Sequence, residues 1–417
     1  MKSAWIILSA LVVGMLLGIG VEMISADWGT ASLPYIETVG ILWLNALKMT
    51  IIPLIVALLI TGITATADAA RAGKLAGRAV AIFIGANILA GLMTLLVLPL
   101  LLRAFPMSAA AAEGLRHGLG GPTETVPSPS FADFILGLIP TNPISAAANT
   151  SILPLIVFTT IFAFAIGRIG GAERATLSGF FKALGDAMLV VIGWVLALAP
   201  IGVFALGYAL AVKAGVAAFG GLLHYVLMLS AIGVCTIILG LLLATFVVGI
   251  PLPRFVRAMV PTFAVALSTQ SSLASLPAML RASADLGVDP KKADIVLPLA
   301  VALFRFTSPA MNLAVVVYVA WLFNIHLSPW EMAIGLAVAL AAALSSVSLT
   351  GSISFVTSIA PIAVSMGVPV APLGLLVAVE TFPDIFRTLG NVVGDVAATK
   401  YAADGIEDDA PPAGEAS

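Results

Sequence analysis

The chain has 417 residues, 61% of them hydrophobic and 10% charged. Soluble domains carry about 25% charged residues, so the composition excludes an ordinary soluble fold and leaves a polytopic membrane protein. The lone Cys235 excludes an internal disulfide or a multi-cysteine metal site. His117, His224 and His326 all fall in or beside predicted loops, so no metal or other cofactor is expected, and a net charge of -2 gives no support to a nucleic-acid partner.

In chain order, apolar segments of spanning length fall near 4–24, 36–64, 79–102, 144–168, 184–210 and 221–250. The first lacks a small-residue cleavage site in a polar context and reads as a retained helix rather than a signal peptide. Residues 104–143, with "GGPTETVPSPS", read as a long extracellular connection. From Met259 to Leu280 there is no charge, yet the centre is polar, "LSTQSSLASLP". Val296 to Phe323 follows, apolar except for Arg305. An uncompensated arginine at the bilayer centre costs roughly 2.5–3.5 kcal/mol on the mildest insertion scale. A second uncharged stretch has the polar centre "LSSVSLTGSIS", and the last span, 371–398, carries Glu380, Asp384, Arg387 and Asp395. From Ala402 the tail "AADGIEDDAPPAGEAS" is acidic and predicted to be disordered.

Positive charge sets the orientation. With both termini cytoplasmic, one side receives thirteen basic residues, from Lys2 and Arg71 through Arg254, Arg257, Lys291 and Lys292 to Lys400, and the other receives Arg103, Arg116 and Lys213. That asymmetry requires 259–281 and 331–366 each to enter and leave on the same side, as re-entrant hairpins. Irregular polar backbone at membrane depth is tolerated only where protein buries it or a cavity receives it. Hairpin then span, repeated (259–281 with 294–323, 331–366 with 371–398), is a candidate inverted repeat of the kind that holds a transporter's binding site. The plain alternative is two ordinary helices containing serine.

In "PDIFRTLGNVVGD", Asp384, Arg387, Thr388, Asn391 and Asp395 lie at offsets 0, 3, 4, 7 and 11, one stripe of a helix about 16 Å long at 1.5 Å per residue. Arginine takes a carboxylate bidentately, aspartate takes an ammonium, and threonine and asparagine add neutral hydrogen bonds. The set fits an acidic amino acid. An internal Asp384–Arg387 pair that merely neutralises itself is the alternative.

Here the chain resembles the dicarboxylate/amino acid:cation symporter family, over about residues 5–401. The likeness is clearest in "LKMTIIPLIV" (47–56), "PTNPISAAAN" (140–149), "APIGVFAL" (199–206) and "DIFRTLGNVVGD" (384–395). The resemblance implies an all-α membrane protein of eight transmembrane helices and two re-entrant hairpins with inverted repeats, working as an elevator within a homotrimer among membrane lipid. Residues 1–78 and 144–215 would be the scaffold, and 79–103 and 216–401 the moving transport domain. It implies that Asp384 meets the substrate amino group, that Arg387 meets its side-chain carboxylate, and that Thr388, Asn391, Ser271, Ser272, Thr350 and Gly351 complete the contacts. Family members for C4-dicarboxylates lack the aspartate and neutral amino-acid members lack the arginine.

The departures are specific. The family's seventh-span sodium signature, Asn-Met-Asp-Gly-Thr, is replaced by Phe304, Arg305, Phe306, Thr307 and Ser308. Hard cations need oxygen ligands, and a benzyl group has none. Asp395 matches the remaining sodium-binding carboxylate. Arg305 is therefore expected to pair with Asp395 as a built-in cation, with snorkelling or a Glu380 partner as alternatives. Coupling would then use protons, through Glu380 or Asp384, unless exchange is uncoupled. A C4-dicarboxylate carrier or an anion channel remains open. An intramembrane protease lacks a dyad in facing spans, so no enzyme is expected.

Overall fold

The computed structural model describes residues 2–71, 73–119, 139–149, 152–215, 217–345 and 351–404, and among them every regular element is a helix. Among the described residues six helical stretches are long and apolar enough to cross a bilayer, beginning at Ile6, Asp27, Lys74, Gly171, Ala217 and Pro290. Shorter apolar helices lie between and after them.

The first group comprises α1 (Lys2–Ile24), α2 (Ala26–Lys48), α3 (Ile51–Arg71) and α4 (Lys74–Ala104). After α5 (Ala109–Gly118) come α6 (Pro143–Ala148), α7 (Ile152–Ile166), α8 (Gly171–Ala197) and α9 (Ala199–Ala214). Helix α9 packs along α1 and α2, while α3 packs on α7 and α8. The α1–α9 contact is close because Gly14 and Gly18 share one face. A Cβ on Gly18 would stand 2.7 Å from the Tyr208 carbonyl oxygen, and one on Gly14 would strike that of Phe204. Small residues four apart are how helices associate where lipid is as apolar as their side chains.

Several boundaries differ from the sequence expectation, among them 144–168 and 371–398, each of which is two helices rather than one. The segment 36–64 is two helices, α2 and α3, parted at Met49–Thr50. Pro53 lies in the first turn of α3, where a missing N–H goes unneeded. The segment 184–210 straddles the junction of α8 and α9 at Leu198, because Pro200 cannot donate within a continuous helix. The connection 104–143 contains α5, where Ser108 caps four alanines by accepting from Ala111 N at 3.3 Å. The final helix runs to Asp404, so Ala402–Asp404 are helical rather than tail, with Lys400 and Asp404 paired at 2.7 Å across one turn. Most of the proline- and serine-rich part of the 104–143 loop, and the tail beyond Asp404, lie outside the described residues.

The second group begins with α10 (Ala217–Leu242), which continues as a π turn, Leu243–Val247. Helices α11 (Leu252–Thr269) and α12 (Leu276–Asp285) then form a hairpin that turns at Gln270, whose φ of 50° is left-handed. Next come α13 (Pro290–Leu299), a π turn at Ala300–Phe304, and α14 (Ser308–Leu322). Helices α15 (Pro329–Ser345) and α16 (Gly351–Ser365) pack together as a second hairpin. The chain closes with α17 (Ala371–Leu376) and α18 (Thr381–Asp404). Helix α14 is buried without exception from Ser308 to Ala320. A helix apolar all round is a core helix, and α14 is the post on which α4, α10, α15 and α16 pack.

Candidate functional site

Two interruptions of helix build the site. The first follows the π turn Ala300–Phe304. Arg305 takes left-handed φ 43°, ψ 57°, and the chain crosses through Phe306 to Thr307, whose carbonyl opens α14 by accepting from Met311 N at 2.9 Å. A non-glycine residue there costs about 1–3 kcal/mol, strain that functional sites tend to retain. The freed backbone groups find side chains. Asn87 Nδ2 donates to the Phe304 carbonyl at 2.8 Å. Thr307 N and Oγ1 donate to Asn391 Oδ1 at 2.9 and 2.8 Å, and Thr307 Oγ1 also reaches the Arg387 carbonyl at 3.0 Å. Gly390 and Gly394 on α18 make this approach possible. A Cβ on Gly394 would stand 2.7 Å from Phe306 Cβ, and one on Gly390 would strike the Thr307 methyl.

The second interruption is the turn Val377–Glu380 between α17 and α18. It places Glu380 just ahead of α18, with its carbonyl accepting from Asp384 N at 2.9 Å. Glu380 is 4% exposed and Arg387 7%. Arg387 is held on three sides, from NH2 to Glu380 Oε1 at 2.6 Å, from NH1 to Asn312 Oδ1 at 2.7 Å, and from Nε to Asp384 Oδ1 at 3.3 Å. A buried guanidinium needs such company, because removing a charge from water costs several kcal/mol. The cluster is a cation held by two carboxylates in a dry setting, where another carboxylate can take the place of one of them.

The predicted residues divide as follows. Asp384, Arg387, Thr388 and Asn391 come together on α18, with Thr388 Oγ1 donating to the Asp384 carbonyl at 3.0 Å. Asn391 spends its oxygen on Thr307 and keeps its amide nitrogen for other partners. Ser271 and Ser272 sit half-buried at the first hairpin tip, where Ser271 Oγ accepts from Ala274 N at 3.2 Å. Gly351 begins α16, and Thr350 lies outside the described residues.

The expected Arg305–Asp395 contact is not made. Asp395 is 1% exposed, and among the described residues neither of its carboxylate oxygens has a hydrogen-bond partner. The reason lies in the left-handed turn, which sets Phe306 against α18 at Gly394, beside Asp395. Arg305, half-buried and engaged elsewhere, acts on Asp384 and Asp395 only through space. Phe304 stacks on Phe83 with centroids 4.6 Å apart, and Phe306 lies 5.5 Å from Phe304. Aromatic rings thus fill the place where the resemblance puts cation ligands.

Two participants escaped the sequence reading. His224 was placed at a loop, yet α10 begins two turns before it. Its Nε2 meets the Phe105 carbonyl at 2.8 Å and its Nδ1 meets Tyr318 Oη at 2.9 Å. A carbonyl only accepts, so Nε2 carries a hydrogen toward Phe105. Tyr225 packs edge-on against Tyr318 with centroids 5.2 Å apart. Adjacent in sequence, and so about 100° apart on a long apolar helix, His224 and Tyr225 form no stripe that sequence could expose.

The family model described as the sodium:dicarboxylate symporter family matches residues 4–404. A C4-dicarboxylate transport protein of Laribacter hongkongensis is 27% identical over 401 residues, spanning 95% of this chain and 88% of that protein. The proton/glutamate-aspartate symporter of Escherichia coli is 26% identical, spanning 96% and 92% respectively. The proton/sodium-glutamate symport protein of Bacillus subtilis is 28% identical, spanning 93% and 89%. These relatives are named as transporters and not as enzymes. With the family model matched over nearly its whole length, this integral membrane chain belongs to the sodium:dicarboxylate symporter family.

Proposed function

We propose that the protein carries acidic amino acids, L-aspartate or L-glutamate, across the cell inner membrane, coupled to protons and independent of sodium. The observation that carries this reading is the buried cluster of Arg387 with Glu380 and Asp384. An acidic amino acid brings a carboxylate for Arg387 and an ammonium for Asp384, the two groups this cluster can exchange internal bonds for. Sodium independence is supported by the Phe83–Phe304–Phe306 rings at the signature position. Arg305 is the fixed cation in this reading, acting on Asp395 across space rather than by contact.

The chain would work as an elevator in a homotrimer, with both termini cytoplasmic. Residues 1–78 and 144–215 stay fixed, and 79–103 and 216–401 move with the substrate. The packing of α1, α2 and α9 as one group, and of α10, α14 and α18 as another, is compatible with that division.

A second reading, a C4-dicarboxylate carrier, has its own support. Asp384 already pairs with Arg387 at 3.3 Å, and relatives such as that of Laribacter hongkongensis are named for C4-dicarboxylates. Purified protein in proteoliposomes separates the readings. Labelled L-aspartate, L-glutamate and succinate are supplied with an inward sodium gradient, an inward proton gradient, or neither. Amino-acid accumulation driven by pH and indifferent to sodium is expected. Succinate alone accumulating would establish the second reading, and a strict sodium requirement would overturn the role given to the phenylalanines.

A further inference from the structure

Behind Arg387, on the side of α10 and α14, three buried polar atoms lack a hydrogen-bond partner among the described residues: Tyr225 Oη, Glu380 Oε2 and Asn312 Nδ2. They share one neighbourhood. Asn312 and Glu380 hold two nitrogens of the same guanidinium, and the Tyr225 hydroxyl stands beside the Glu380 carboxylate, short of a complete bond. Buried polar atoms are rarely left unsatisfied, and a coincidence of three calls for a shared cause. The Tyr225 ring is fully buried and fixed in place. It packs edge-on to Tyr318, which His224 in turn ties to the Phe105 carbonyl.

We propose that Glu380, Tyr225 and Asn312 form a proton-binding pocket, and that protonation of Glu380 releases Arg387 to the substrate. This rests on the proton-coupled reading above and gives it a site. A proton from solution binds Glu380 Oε2, and the neutral carboxyl bonds the Tyr225 hydroxyl, which has both a donor and an acceptor to offer. A neutral acid no longer makes the charge-assisted bond to Arg387. The oxygen that Arg387 gives up takes the idle N–H of Asn312. The guanidinium then meets the incoming carboxylate. One carboxylate replaces another and one proton enters per substrate, so the charge around Arg387 is conserved. The other ionisable groups facing Glu380 are Arg387 and Asp384 on α18; α16 and α17 carry none.

Linkage fixes the sign. If substrate binding takes up a proton, affinity is highest at low pH and falls about tenfold per pH unit above the midpoint. The test measures L-aspartate affinity against pH in the purified full-length protein and its Glu380→Gln and Tyr225→Phe variants. The parent protein is expected to follow that fall. Glu380→Gln, a permanent neutral acid, is expected to bind with a pH-independent affinity and to exchange L-aspartate without accumulating it on a pH gradient. Tyr225→Phe keeps the ring and removes the hydroxyl beside the Glu380 carboxylate, so the midpoint is expected to shift from that of the parent protein. A merely structural ring would leave it in place, and an unmoved midpoint overturns the part given to Tyr225. A surviving pH dependence in Glu380→Gln overturns the pocket while leaving proton coupling intact. Flat affinity in the parent protein overturns the coupling reading itself.

Discussion

At Arg387 the chemistry narrows to a single side chain. Its three partners use the planar fork of the guanidinium, which an ammonium cannot reproduce. Arg387→Lys keeps the charge and loses the fork, so acidic-substrate affinity is expected to fall by about 2 kcal/mol or more, some thirtyfold, in equilibrium binding. Arg305 has the opposite character, with its charge felt at a distance and its contacts elsewhere. Arg305→Met leaves Asp395 a buried carboxylate with no hydrogen bond and no nearby cation, a costly arrangement. Weaker L-aspartate binding, by about tenfold, is expected, with Arg305→Lys retaining part of the affinity. Equal affinity in parent and Arg305→Met would end the fixed-cation account.

Between α13 and α14 the scale is the element. The break there is tied to α18 by Thr307, whose hydroxyl reaches both Asn391 and the Arg387 carbonyl. Thr307→Val keeps the shape and removes those two bonds. The Arg387 carbonyl keeps its place in the α18 helix and Asn391 Oδ1 keeps the Thr307 N–H, so the loss is that of the hydroxyl's own bonds, about 1 kcal/mol each. A lower thermal midpoint together with weaker substrate binding is expected, because the same tie that holds the two helices also sets the height of Arg387. A lowered midpoint with intact binding would confine Thr307 to stability. This level was only partly legible in the sequence. The hairpins were readable because uncharged stretches with serine-rich centres had to re-emerge on the side they entered, given where Arg254, Arg257, Lys291 and Lys292 stand. The α18 stripe was readable because polar offsets of 3, 4 and 7 survive on an apolar background. The π turn was not, since Ala300–Phe304 is plain apolar sequence, and the left-handed Arg305 followed no glycine signal. Arg305 was aimed at Asp395 because both stand at cation-binding positions of the resemblance, whereas the left-handed turn sets Phe306 against that part of α18. Tyr225 was hidden for another reason, as an isolated polar side chain whose neighbours come from other helices.

For the whole molecule the question is whether one helical group slides past the other. A contact between the two groups makes that testable. Gly374 of α17 lies so close to α2 that a Cβ there would strike the Leu44 side chain, and Trp43 stands 3.6 Å away. In the proposed elevator, Leu44 belongs to the fixed part and Gly374 to the moving part, so their meeting marks one stopping point. A Leu44→Cys, Gly374→Cys pair in a Cys235→Ala background places two thiols there with no competing cysteine, and Leu44→Cys relieves the crowding that a side chain at 374 would meet. Disulfides need Cα atoms within about 7 Å, a limit that adjacent helices touching through a glycine can satisfy. Oxidative cross-linking is expected to abolish uptake while L-aspartate still binds from the accessible side, and reduction is expected to restore uptake. Binding without transport is what separates a stalled carrier from a damaged site. If the cross-linked protein continues to accumulate substrate, the boundary between fixed and moving parts does not run between α2 and α17, and Gly374 must travel with Leu44.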